Sequence, residues 1–355
     1  MTTATGFNAI VGQPRPIRLL QAYIRHGTLP HALLFTGDDG VGKRITATAF
    51  AMACNCLTLK SAIRDDPLHR IHDAVDACGT CPPCRKIAGD HHPDIIRVAP
   101  LSSVIKIAQI RSLLQTLTRK PNEADRRVVI LCEAQTMNAE AGNALLKVLE
   151  EPPDRTLLVL TARHASELLP TVVSRCRQIR FSPLSAPDIS RLLTAVGKKS
   201  SASTETIARL CGGSYARARK WSDSRWLNRR EWIIRTLETQ MAGSGAPEIR
   251  TWLAFSEMLA KKKDFIEESL EIVTMWLRDM LVVKFDPMQV MDRDRLKKLA
   301  AIAKPVDPGQ LLEQIDAVDR ALTALRSNAN ARLTLDAMVL KMARARCRDG
   351  NPSFT

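Results

Sequence analysis

The chain is poor in aromatic residues: Phe, Trp and Tyr make up 4% of its 355 positions. That argues against a single-strand nucleic-acid binder built on base-stacking platforms. No apolar run approaches the roughly 18 residues of a membrane span, so no membrane partner is expected. The opening MTTATGFNAIVG has no basic region followed by an apolar stretch. No secretory signal is read there, and a cytoplasmic location is the expectation. Acidic residues are outnumbered, 37 against 52 basic, giving a net charge of +15. Such an excess favours polyanionic partners, chiefly nucleic acid or acidic proteins, although a solvated basic surface would have the same composition.

What is present is an ordinary globular composition, 45% apolar and 25% charged, in a chain long enough for two or three domains. Five short apolar runs read as buried strands: Ala32 to Phe35, Asp94 to Val98, Val128 to Cys132, Leu157 to Thr161 and Gln178 to Phe181. Helical patterns such as IKIAQIRSLLQTLT and AEAGNALLKVLEE lie between them. In the latter, Ala141, Ala144, Leu145, Val148 and Leu149 share one face, and Pro152-Pro153 closes the helix. Strands alternating with helices predict a parallel sheet covered on both sides. After FSPLSAPD the strand signals stop. The expected organisation is an α/β core over 1–182, a small helical lid over 183–223 and an all-helical part over 224–355, with loops at AGSGAPE and AKPVDPGQ.

The first strand runs into GDDGVGK, so Gly37, Gly40, Gly42 and Lys43 complete the spacing of a phosphate-binding loop that opens a helix. Backbone N–H groups of such a loop cradle phosphates, and its lysine neutralises them. Arg44 stands where a Ser or Thr normally ligates Mg²⁺. The strand VVILC should end in the acidic half of the site. Cys132 occupies the place of the metal-holding Asp, while Glu133 keeps the place of the water-activating carboxylate. Phosphate binding by ATP or ADP is therefore compatible with the loop. Hydrolysis is not expected, because the γ-phosphate loses its principal stabiliser.

The nine cysteines are uneven, with five between positions 54 and 84. Cys78, Cys81 and Cys84 form C-x-x-C-x-x-C, a spacing that suits tetrahedral Zn²⁺. Cys56 is the expected fourth ligand, Cys54 its competitor, and His91 or His92 the remaining alternatives. A closed four-cysteine site would be structural; the plainer reading is free core thiols. Elsewhere, Ser174, Arg175 and Cys176 precede the fifth strand. Alone, that tripeptide marks only an exposed arginine near a domain edge.

IVGQ near the start, the cysteine loop followed by HHPDIIRV, NALLKVLEEPP and SRC occur together and in this order over the first 220 or so residues. In this combination the chain resembles the clamp-loader branch of the AAA+ proteins, which serve bacterial DNA polymerase III. The resemblance implies a P-loop AAA+ core carrying an inserted zinc module at about 54–90, a helical lid and an all-α oligomerising collar. It implies a ring with gamma/tau motor subunits and a delta subunit, which opens a sliding clamp and places it on primed DNA. It also carries the arginine-finger role to Arg175, acting in trans on a neighbour's ATP. This chain departs from the motor pattern at Arg44 and Cys132. It departs again at Ala216, where motors place a phosphate-sensing arginine, and it lacks the long C-terminal extension of tau. Those departures fit a non-hydrolysing member. The stretch between Cys56 and Cys78 is longer than the module's pattern. Two other functions compete: a gamma/tau-like active ATPase, or a zinc-dependent nucleic-acid-binding module. Magnesium-dependent turnover by the chain alone would mark the first, and salt-sensitive, zinc-dependent DNA binding the second.

Overall fold

A computed structural model describes residues 6–65, 75–196, 202–242 and 249–347. The chain falls into two compact units, Met1–Lys198 with Gly212–Arg217, and Lys199–Cys211 with Ala218–Thr355.

The first unit begins with α1 (Pro14–His26), then β1 (Ala32–Thr36), α2 (Lys43–Asn55), α3 (Leu57–Asp65) and α4 (Pro82–Ala88). It continues through β2 (Ile95–Val98), α5 (Ile107–Leu117), β3 (Arg127–Leu131), α6 (Ala139–Glu150), β4 (Thr156–Ala162), the short α7 (Pro170–Val173), β5 (Arg177–Arg180) and α8 (Ala186–Ala195). All five strands read from the sequence are present. They form one parallel sheet in the order β2-β3-β4-β1-β5.

Every residue of β1, β3 and β4 is buried. These are the central strands, apolar on both faces, as covered parallel sheets require. Side-chain alternation sends Phe35, Val128, Ile130 and Val159 to the face packed by Phe50 and Met52 of α2 and Ile87 of α4. Leu34, Val129, Leu158 and Leu160 meet Leu113 of α5 with Leu145 and Leu149 of α6 on the other. Ala141, Leu145, Val148 and Leu149 of α6 are buried, and the helix ends at Glu150, before the two prolines. Because β3, β4 and β1 are neighbours, the loops leaving their carboxyl ends converge, which is where open α/β sheets bind ligands.

The described residues of the second unit form helices joined by turns, with no strand among them. It holds α9 (Ala202–Leu210), much of α10 (Tyr215–Trp221), α11 (Ser224–Ala242), α12 (Ile249–Ala260), α13 (Ile266–Val282), α14 (Leu296–Ala303), α15 (Pro308–Arg326) and α16 (Ala331–Cys347). Leu270, Val273, Leu277 and Met280 line the buried stripe of α13 at helical spacing. The break expected at AKPVDPGQ separates α14 from α15, while 243–248 of the expected AGSGAPE loop lie outside the described residues. No helix is long and apolar enough to cross a membrane among the described residues.

Candidate functional site

The glycines of GDDGVGK adopt backbone angles that a side chain would resist, with φ of 139° at Gly37 and 79° at Gly40. Space is short as well. A Cβ on Gly37 would lie 2.5 Å from Phe181 O, and one on Gly40 would lie 2.5 Å from Ser214 Oγ and 2.7 Å from Ala216 Cβ. The loop is thus pressed against the Ser214–Ala216 segment, and Tyr215 N donates to Gly40 O at 3.1 Å. Lys43, in the first turn of α2, is buried and folds back on the loop. Its Nζ donates to Gly37 O, and to Asp38 O at 2.8 Å, with Asp39 at 3.8 Å. Burial lowers its pKa against the pull of Asp39 and Asp38.

Gln13, the last residue of IVGQ, does work that no local pattern announces. That side chain is 1% exposed and donates to Val41 O at 3.1 Å and Ser182 O at 2.6 Å, clamping the loop to the chain beyond β5. Arg163, after β4, also went unread; its Nε pairs with Asp39 at 2.7 Å.

Cys132 follows β3 and is 2% exposed, part of the apolar core. Glu133 takes a left-handed backbone, φ 55° and ψ 49°, with its N–H donated to Thr161 Oγ1 at 3.0 Å. A non-glycine residue held there is unusual and costs of order 1–3 kcal/mol, which marks the position as one the surrounding structure enforces. Its carboxylate lies 3.7 Å from the Arg44 guanidinium, both half-exposed. The positions that the motif spacing assigns to Mg²⁺ carry a thiol and a guanidinium, and the Glu133 carboxylate faces that guanidinium.

The cysteine module folds into one cluster. The Sγ atoms of Cys56, Cys78, Cys81 and Cys84 all lie within 4.8 Å of one another. Four sulfurs at about 2.3 Å from a tetrahedral ion are separated by roughly 3.8 Å, so this set fits Zn²⁺. Amide N–H groups already point at the sulfurs: Leu59 N and Cys78 N at 3.4 Å from Cys56, and Cys81 N at 3.3 Å from Cys78. A hydrogen bond from the Thr58 side chain leads the effects that hold the Cys78 thiol down at about 5, while burial pushes Cys56 and Cys84 up. Cys54 stands apart from the cluster, its thiol pushed up to about 12 by burial. Of the long stretch between Cys56 and Cys78, Leu57–Asp65 is α3 and residues 66–74 lie outside the described residues.

Of the histidines of HHPDIIRV, His91 is exposed and His92 is buried. His92 Nδ1 accepts from Asp94 N at 3.2 Å. Asp94, 1% exposed, accepts N–H bonds from Asn122, Glu123 and Ala124, each at 2.8 Å, and faces Arg127 at 3.4 Å. Burial raises its pKa, but the three amides and Arg127 together outweigh burial and leave the carboxyl below its usual range.

Arg175 follows α7. Its Nη2 meets Glu150 Oε1 at 2.6 Å, and its Nη1 donates to Thr171 O at 3.0 Å and Ser174 Oγ at 3.4 Å.

A family model described as DNA polymerase III, delta subunit, matches residues 12–185, and one described as DNA polymerase III, delta subunit, C terminal, matches residues 225–343. The DNA polymerase III subunit delta' of Bacillus subtilis is 28% identical over 347 residues, covering 93% of this chain and 96% of that protein. The delta' subunit of Pseudomonas aeruginosa is 31% identical over 229 residues, 62% of this chain and 65% of that one. The tau subunit of Escherichia coli is 31% identical over 187 residues, 53% of this chain but 27% of its own length.

Proposed function

Because the chain belongs to the delta' family of DNA polymerase III clamp-loader subunits, we propose that it is a non-hydrolysing member of that machine. The observation that carries this is the Arg44–Glu133 pair beside buried Cys132. In a working site a hydroxyl and an aspartate hold Mg²⁺ against the β- and γ-phosphates, and a free glutamate orients water. Here the hydroxyl and the aspartate are absent, and the glutamate faces the Arg44 guanidinium at 3.7 Å. Lys43 and the loop amides retain the means to hold the phosphates of ATP or ADP without supporting hydrolysis.

Catalysis then belongs to the gamma/tau neighbours, and Arg175 is the residue that this chain contributes to it. It would stabilise charge developing on the neighbour's γ-phosphate as an arginine finger in trans. Gamma/tau, delta, the sliding clamp and primed DNA are the partners of this reading, with the lid over 183–223 and the collar over 224–355. Cys56, Cys78, Cys81 and Cys84 would hold zinc as a structural staple, which contributes folding energy and no chemistry. The test is reconstitution. The purified chain should not turn over ATP with Mg²⁺, yet should be required when motor subunits, delta, clamp and primed DNA are combined for ATP-driven clamp loading. Turnover by the chain alone, abolished by Lys43→Ala, would establish an active motor instead.

A further inference from the structure

Resting on that reading of Arg175, we propose that Glu150 is its positioning residue. The two side chains come from elements 25 residues apart and meet at 2.6 Å. The elements that carry them pack against each other. A Cβ on Gly142 of α6 would lie 2.8 Å from Leu169 Cδ1, just ahead of α7, so glycine lets the two segments pack closely.

Glu150 adds nothing to the helix that carries it. It is the last residue of α6, where the helix dipole disfavours negative charge, and Glu151 follows it. Its side chain is 50% exposed and that of Arg175 is 35% exposed. Ion pairs that open to solvent contribute little to stability. What the pair does supply is a fixed rotamer for a long, flexible side chain. A guanidinium has five N–H donors. Thr171 O, Ser174 Oγ and Glu150 Oε1 engage three of them, which leaves two for phosphate oxygens. The chain can therefore hold the guanidinium and still offer a donor pair to a neighbour's nucleotide. Preordering of this kind appears in turnover, because it lowers the cost of aligning the finger in the transition state.

The experiment compares Glu150→Gln, Arg175→Ala and the double variant in the fully reconstituted clamp loader with clamp and primed DNA. Retained zinc content and an unchanged melting temperature would show that each variant is folded. Glu150→Gln should lower kcat for ATP hydrolysis by about threefold or more, with KM for ATP unchanged. The double variant should be no slower than Arg175→Ala alone. Wild-type kcat in Glu150→Gln beside a slow Arg175→Ala would overturn the positioning role and leave the finger intact. A double variant slower than Arg175→Ala would also overturn it, since Glu150 would then act by another route. Wild-type kcat in Arg175→Ala would overturn the finger itself, and the role of Glu150 with it.

Discussion

The Arg44 guanidinium lies 3.7 Å from the Glu133 carboxylate, and the residue before Glu133 is the buried Cys132. Changing one ligand of a metal site could be tolerated by local adjustment. Here the hydroxyl and the metal-binding carboxylate are replaced together. The cation in place of the hydroxyl is the one that faces the glutamate.

If Glu133 activates no water in this chain, neutralising it should be silent. Glu133→Gln should leave the ATP hydrolysis rate of the reconstituted clamp loader unchanged when steady-state phosphate release is measured. A marked fall would return catalysis to this subunit.

Metal analysis separates the two cysteines that flank the end of α2. If the cluster holds zinc as proposed, Cys56→Ser should lose it and melt at lower temperature, because the sulfur cluster closes only with four thiolates. Cys54→Ser should keep its zinc, since that thiol lies outside the cluster. The reverse pattern would transfer the ligand role to Cys54.

Asp94 links acid stability to the loop around residues 122–124. Its carboxyl sits below the usual range in the folded chain. Its contribution is therefore complete above about pH 4, the usual Asp value, and is lost as pH falls through the lower folded value. Asp94→Ala strips a buried partner from Arg127 and should cost about 3–5 kcal/mol at neutral pH. Denaturant melts should show that gap steady from neutral pH down to about 4 and narrowing below it. A gap that does not change with acidification would contradict the assignment.

The strands were legible because buried parallel strands read as continuous apolar runs, so β1, β3 and β4 declared themselves within a residue or two. The loop glycines and the three spaced cysteines were equally plain, since local spacing alone defines them. The choice between Cys54 and Cys56 was harder to read. It turns on the last residues of α2, where Cys54 is still helical and Cys56 has turned extended at φ −72° and ψ 120°. Contacts between distant elements left no local pattern. Gln13 reaches Ser182 across 169 positions, and Arg175 reaches Glu150 only because α7 packs on α6. The role of Asp94 left no local pattern either, because the amides that it caps lie 28 to 30 positions further along the chain.

The account stands most directly on the ATPase rate of the assembled clamp loader, with clamp and primed DNA, carrying Arg175→Ala in this subunit. Arginine fingers are worth about 10³-fold or more at the site they complete. The variant should therefore assemble with its partners but hydrolyse ATP at a sharply reduced rate. Hydrolysis at the wild-type rate in an intact variant assembly would contradict the claim that this chain completes its neighbour's active site.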